Sequence, residues 1–456
     1  MMKSWFGDDL FRVILKNAGK LGSTKLIGAA VGLIALVSTG RTLRPHDFGV
    51  LTLIASYIET IAAIGQFQSW QIVLHYAAVP WQKGERSTVQ TSISLAIGLD
   101  ICAGLLSMLF GILAFLFFGR LLGIHDKHTV LVLIYCTLIP GMGSTAAYGI
   151  LRLFDRIDLV SRQQLITPTV RAVGCLLAWV SGTKLTGFVI AWYLALLAGQ
   201  IYLWGTALLE LKRHDLLKGL RPSIIRASRQ MPAGMWSFVW TASITTVLET
   251  VWEPISKLLV GKIVSTSAAG LYSLAMEFLD AVQRPAKLLE KSYYPEVVLM
   301  NPRTSAPWKL ALRTSVFSGA LGLLAMLVVY VGGKPVISMF GLRFGDAATL
   351  MMWMSPSLVF FTAGLPMEGV LYTAGRSHYI MLAQLFSVCV YVPLLVYMGH
   401  HYGLNGAGLA YALGIFFATL LMFAMMGMTY LRRNKIILPH ERETRQSNDL
   451  SATSGS

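Results

Sequence analysis

Glu249, Glu253 and Lys257 recur at every fourth residue in "TTVLETVWEPISKLLVGK". On a helix this spacing puts all three on one face. Glu253 can pair with Lys257 as a local ion pair. Glu249 has no such neighbour and is the better candidate for taking up a proton or a small cation. Pro254 lies between them and is expected to bend the helix, because it removes a backbone hydrogen bond. Asp280 and Arg284 repeat the four-residue spacing in "LYSLAMEFLDAVQRPAKLLEK", with Glu277 on the same side. Glu59, Asp100 and Arg171 each sit in an otherwise apolar stretch. Asp100 and Arg171 stand alone in sequence, to pair with each other or with charges on other helices. Lys25, in "GKLGSTKLIGAAVGLIA", lies roughly 7–8 Å deeper than Lys20 at about 1.5 Å per helical residue. It either lines a polar cavity or snorkels to the surface.

Other chemistries are missing. There is no Walker A loop, no HExxH spacing among the nine histidines and no Gx-Ser-xG elbow. His125, His128, His400 and His401 read as loop histidines rather than metal ligands. Cys102, Cys136, Cys175 and Cys389 lie in apolar runs without CxxC spacing and read as small buried hydrophobes. The expectation is a protein that is not an enzyme and uses no metal or cofactor.

The elements that must carry these charges are set by composition. Of 456 residues, 55% are hydrophobic and only 13% charged, about half the charge of a soluble domain. Mean hydropathy is +0.61. A bilayer is the solvent that suits such a chain, and each crossing helix needs roughly 20 apolar residues. Apolar runs near 19–40, 47–68, 93–118, 129–151, 159–181, 185–208, 233–260, 266–288, 308–332, 347–374, 378–398 and 404–430 give about twelve transmembrane helices. An ionisable group at bilayer depth costs about 2.5–3.5 kcal/mol on insertion scales, so each deep charge needs a reason.

A net charge of +16 would suggest nucleic acid in a soluble protein, but here the basic residues fall mostly between spans. With the N-terminus in the cytoplasm, cytoplasmic segments hold 26 Lys and Arg residues and the opposite side holds 8. That asymmetry satisfies the positive-inside rule and puts both termini in the cytoplasm. The expected organisation is an amphipathic N-terminal segment (1–18), a six-helix lobe (19–208), a basic cytoplasmic linker (209–232), a second six-helix lobe (233–430) and a disordered cytoplasmic tail (431–456). The N-terminus does not read as a cleavable signal peptide.

The two halves repeat one another. "GRTLRPHDFGVL" at Gly40 aligns with "GKIVSTSAAGLY" at Gly261, an offset of 221 that also matches Glu59 with Asp280. "GILRLFDRIDLVSRQQL" at Gly149 aligns with "GVLYTAGRSHYIMLAQL" at Gly369, offset 220, and Gly182 and Gly187 meet Gly403 and Gly408 at 221. Six spans per repeat imply an axis along the membrane normal. Duplicated bundles of this kind place a substrate cavity between their halves and alternate access by rocking.

The sequence resembles the multidrug/oligosaccharidyl-lipid/polysaccharide exporter superfamily, and within it the Wzx-type polysaccharide biosynthesis flippases. Members end the first span with a pattern like A-R-x-L-G-P-x-x-F-G. Here Arg41, Leu43, Pro45, Phe48 and Gly49 fit it, and Arg44 replaces the usual Gly. In "SKLLVGKIVSTSAAGLYSLAMEF", Lys257, Gly261, Ala269, Gly270, Tyr272 and Ala275 fit a second pattern. Ser256 stands there in place of an acidic residue, with Glu253 about one turn earlier. The likeness runs from about residue 12 to 430.

What the resemblance implies is a flippase for an undecaprenyl-diphosphate-linked oligosaccharide in the bacterial inner membrane, serving O-antigen, capsule or exopolysaccharide assembly. Its implied partners are membrane lipids, a polysaccharide polymerase and a chain-length regulator. On that reading Lys25, Arg171, Lys257 and Arg284 contact the anionic headgroup. Glu249, Asp280, Glu59 and Asp100 are then candidates for coupling to protons, other ions or the membrane potential. Two other classes compete. Exporters of drugs or small metabolites share the architecture but favour acidic pockets, whereas the deep charges here include several cations. A membrane assembly or regulatory protein without transport would not need charges in so many spans.

Overall fold

A computed structural model describes residues 28, 30–119, 128–229, 231, 235–298 and 300–435. The predicted N-terminal segment (1–18), Lys20, Lys25 and the tail beyond residue 435 lie outside the described residues, as does the side chain of Glu249. The described residues form helices and no strands, as the hydropathy pattern predicts.

The first compact unit runs to Gly270 and includes Met339–Phe344. It contains α1 (Ala30–Thr42), α2 (Pro45–Ile64), α3 (Ser69–Gln82), α4 (Arg86–Phe118), α5 (Thr129–Cys136), α6 (Ile139–Met142), α7 (Ala146–Leu153), α8 (Ile157–Val180), α9 (Leu185–Arg213), α10 (Ile224–Ser228), α11 (Met235–Thr250) and α12 (Trp252–Ile263). The second unit takes most of α13 (Thr266–Val298), with α14 (Ala306–Ser338), α15 (Gly345–Met354), α16 (Pro356–Thr373) and α17 (Ser377–Leu431). The seventh predicted span, α11 with α12, thus falls in the first unit, whereas the repeat assigns it to residues 233–430.

Among the described residues, five helices are long and apolar enough to cross a membrane. Two bent pairs pass together, the first at 42° and the second at 44°. The last of the five spans 54 residues, about 80 Å at helical rise. This is more than twice the hydrocarbon core. Gly403 divides it with φ +59° and ψ −137°, a conformation that suits a residue without Cβ, so the segment holds two spans. The helices α8 and α13 are long enough to cross but less apolar, because they carry the polar residues of the fifth and eighth predicted spans.

Proline sets several of the breaks. Its ring displaces the carbonyl four residues earlier. Pro140 is four residues after Cys136, where α5 stops, and Pro254 is four after Thr250, where α11 stops. Pro356 opens α16 at the bend of the second pair. The two bent pairs are the fourth predicted span of each repeat, so the duplication extends to backbone shape.

Burial is inverted on the outward faces. Leu106, Leu109, Phe110, Leu113 and Phe117 form an exposed apolar row on α4, and Val316, Leu323, Leu327 and Val331 form another on α14. Such rows suit acyl chains, not water. Cys102 and Cys389 are exposed too, whereas Cys136 and Cys175 are buried as expected. The difference arises because an apolar span has a lipid face, and hydropathy alone does not say which side a small residue takes. Small polar residues face the interior: Ser56, Thr52, Ser92 and Ser256 are fully or almost fully buried.

The two matched glycines meet. A Cβ on Gly49 would collide with the Thr266 carbonyl, and a Cβ on Gly270 would lie 3.0 Å from the Pro45 carbonyl oxygen and 2.8 Å from the Gly49 nitrogen. Residues 45 and 266 are themselves offset by 221, so the two contacts are reciprocal, as a local two-fold axis requires. Gly49→Ala is therefore expected to push α2 from the start of α13 and to destabilise the protein by about 1–3 kcal/mol. A lowered melting temperature of the detergent-purified variant would register this, and a wild-type melt would refute the contact.

Candidate functional site

Three groups of polar side chains in the first unit contain predicted site residues. The first lies on α8. Arg171 stacks its guanidinium over the Trp192 ring of α9, 4.5 Å from the centroid. Its Nε is buried and has no hydrogen-bond partner among the described residues, and the same holds for Gln164 Oε1. The two residues are seven apart, so they share a helix face. No described carboxylate lies within ion-pair distance of Arg171. Tyr135 of α5 donates to the Val189 carbonyl at 2.6 Å and lies within electrostatic reach of both Arg171 and Glu59. The fold thus gathers two of the predicted residues, Arg171 and Glu59, around one buried tyrosine. Buried polar atoms are nearly always bonded, and here one donor and one acceptor on the α8 face lack a partner among the described residues.

The second group surrounds Asp100, which is 3% exposed. The chain breaks between α2 and α3 and again between α6 and α7, leaving helix N-termini with unpaired N–H groups. Asp100 of α4 accepts from the Ser69 hydroxyl, from the Ser144 hydroxyl at 2.7 Å and from the Ala146 N–H at 2.7 Å. Thr145 adds a bridge: its hydroxyl accepts from the Trp70 N–H at 3.2 Å and donates to the Phe67 carbonyl at 3.1 Å. The Gln68 N–H donates to the Ser243 hydroxyl at 3.2 Å. Asp100 is bonded to neutral donors, not to the Arg171 partner that its isolation in sequence suggested. It acts as an N-cap supplied by a different helix. Ser69, Ser144 and Thr145 are absent from the predicted set. Their one sequence signal is a polar residue beside a Gly or Gln cluster inside an apolar run.

The third group is the α12 ion pair. Lys257 Nζ lies 2.8 Å from Glu253 Oε1. Lys257 is 6% exposed, while Glu253 is half-exposed. The local pairing inferred from spacing is therefore present. Ser256, at the position of the family's acidic residue, is buried and donates to the Trp252 carbonyl at 2.9 Å. Glu253 supplies the carboxylate beside Lys257 from the preceding turn. Glu253 thus offsets the charge of Lys257, whereas Arg171 has no described carboxylate within ion-pair distance.

In the second unit, Asp280 is shared by two cations. Lys287 Nζ is 2.6 Å away and Arg284 Nη2 4.0 Å away. Lys287 also lies 5.6 Å from the centroid of the Phe361 ring. Sequence reasoning missed Lys287, although its distance of seven residues from Asp280 marks the same face. Two cations on one carboxylate leave that trio net positive. No group of three or more metal-ligating side chains occurs among the described residues.

Comparison with known proteins places this arrangement. The model for "Polysaccharide biosynthesis protein" matches residues 14–295. The chain is 38% identical over 351 residues to inner membrane protein YghQ of Escherichia coli (strain K12), covering 77% of this chain and 99% of the relative. A multidrug resistance MATE family transporter of the MOP superfamily, in an inward-facing conformation, superimposes with a TM-score of 0.71 at 13% identity, over 92% of this chain and 99% of that one. Lipid II flippase MurJ, in an inward closed conformation, does so with a TM-score of 0.61 at 11% identity, over 91% and 89%. The solved neighbours are transporters and a flippase rather than enzymes. The multi-pass chain therefore belongs to the polysaccharide biosynthesis protein family and has the fold of MOP-superfamily flippases and transporters.

Proposed function

We propose that the protein is a flippase that moves a polyprenyl-diphosphate-linked oligosaccharide across the bacterial inner membrane, by alternating access, for surface polysaccharide assembly. The observation that carries this reading is the α8 face. Arg171, in the fifth predicted span, has a buried, unbonded Nε, stacks on Trp192 and has no described carboxylate within ion-pair distance. An arginine fork suits a diphosphate, because both partners are charged and each oxygen accepts a directed N–H. Family membership and the likeness to a lipid II flippase support the same substrate class. The relative's name supports an inner-membrane location, and the distribution of Lys and Arg supports cytoplasmic termini. In this scheme Arg171, with Lys25, holds the headgroup. Arg284 and Lys287, around Asp280, offer a second positive site, and Glu59, Glu249 and Asp280 couple movement to ions or to the membrane potential.

The stronger superposition on a MATE transporter favours efflux of drugs or small metabolites as a second reading. A deletion strain separates the two. Loss of surface polysaccharide with accumulation of lipid-linked repeat units inside the cell supports the flippase. Normal polysaccharide with altered drug tolerance supports efflux and overturns it.

A further inference from the structure

We propose that residues 212–229 form a fixed cationic platform that binds the headgroups of anionic phospholipids at the membrane surface. Lys212, Arg213, Lys218, Arg221, Arg226 and Arg229 are all exposed, and Asp215 is the single exposed acid in this stretch. Among the described residues only Arg213 has a carboxylate partner, Glu210 at 2.8 Å. Composition alone would make this segment a loose, solvated linker. The packing makes it a built surface.

Its base is pinned at three levels. At the end of α9, Glu210 is 3% exposed and accepts from Arg213 and from Arg156 of the loop before α8. Arg156 also donates to Asp158 at 3.1 Å and thereby holds that carboxyl below its usual range. His214 stacks on Phe154, with 4.4 Å between centroids, and meets the Trp81 ring edge-on at 5.2 Å. Next, Gln90 of α4 donates to the carbonyls of Leu216 and Lys218, both at 3.0 Å, and Leu216 is fully buried. Finally, Ser223 caps α10 by accepting from the Arg226 N–H at 3.3 Å, and Ala227 is buried beneath it. The backbone of Ser223 and Ile224 runs so close over α4 that a Cβ on Gly98 would lie 3.1 Å from the Ser223 nitrogen.

What the anchored backbone displays points to a lipid surface. Ile225 is 71% exposed and Leu217 37%, interleaved with the unpaired cations. A purely electrostatic site for a soluble polyanion has no use for an exposed isoleucine. An interfacial site does, because the apolar side chain enters the acyl boundary while the cations meet phosphates. The segment also joins the end of one membrane-crossing helix, α9, and lies over the start of another, α4, which sets it at headgroup level. The proposal does not depend on the substrate of transport.

Native mass spectrometry of the detergent-purified full chain tests it, with phosphatidylglycerol or phosphatidylcholine added. The wild type is expected to retain phosphatidylglycerol preferentially, and less so as salt rises. In the variant Lys218→Gln/Arg221→Gln/Arg226→Gln/Arg229→Gln the affinity for phosphatidylglycerol should fall more than ten-fold, given about five-fold per cation. A charge-matched control, Lys184→Gln/Lys309→Gln/Arg313→Gln/Lys334→Gln, removes four exposed cations outside this segment and its α4 contact and should lose less than three-fold. Ile225→Asn, with every cation retained, should weaken phosphatidylglycerol binding as well and covers the case of a quadruple variant that fails to purify. Equal losses in the two quadruple variants, unchanged retention in the platform variant or wild-type retention by Ile225→Asn would overturn the assignment.

Discussion

Arg171→Ala is expected to abolish complementation of a deletion strain while leaving the protein at wild-type levels in the membrane. Removing one partner of a buried, charge-assisted hydrogen bond costs about 2–5 kcal/mol. At about 1.4 kcal/mol per decade this is a loss of roughly 30-fold to several thousand-fold in affinity for the anionic group. The folded state should tolerate the change, since Arg171 has no ion pair to break among the described residues and its buried Nε is unbonded. Deleting the side chain forfeits the stacking on Trp192, which is worth about 0.5–2 kcal/mol. Arg171→Lys separates charge from geometry. Lysine keeps the cation but loses the planar fork and the stacking, so it should restore part of the activity. Membrane abundance is read by immunoblot and export by surface polysaccharide. Full export by Arg171→Ala would remove Arg171 from the headgroup site. Loss of the protein from the membrane would make it a structural residue instead.

Asp100→Ala should be the most destabilising single substitution in the first unit. Three donors converge on this carboxylate: two hydroxyls and the Ala146 N–H. The hydroxyls can turn towards backbone carbonyls, but the Ala146 N–H opens α7 and has no carbonyl one helical turn back to receive it. A buried donor left unsatisfied costs about 1–3 kcal/mol. The cavity left by the carboxylate adds a further contribution, so the expected total is about 3–5 kcal/mol. Low expression and a melting temperature well below wild type are the expected readouts. Asp100→Asn should recover most of the loss, because an amide oxygen still accepts from Ala146 and Ser144. The Asn variant also distinguishes a cap from an ion-coupling residue. A cap predicts a stable and active Asn variant, whereas coupling predicts a stable but inactive one. Wild-type stability in Asp100→Ala would refute the cap.

These two residues show how far the sequence could be read. Both were conspicuous as charges in apolar runs, because the cost of burying an ion makes each one an anomaly. Their roles were not legible. Asp100 meets residues 31, 44 and 46 positions away in sequence, and no local spacing encodes such a meeting. Lys257 and Glu253 were legible for the opposite reason, since a four-residue separation on one helix brings them together whatever the rest of the chain does. Asp280 was legible only in part. The spacing named Arg284, but the shorter contact goes to Lys287, two turns away.

The sequence by itself determined the solvent and the class of element: apolar runs at bilayer length, with prolines marking several of the breaks between helices. It showed the repeat as well, because duplication leaves matched glycines at a nearly constant offset. Only the tertiary structure decided which charges are satisfied by neutral caps, which are paired, and which keep a buried donor without a protein partner. That division depends on hydrogen-bond geometry among residues far apart in the chain, on the scale of a few tenths of an ångström, which composition and periodicity do not carry.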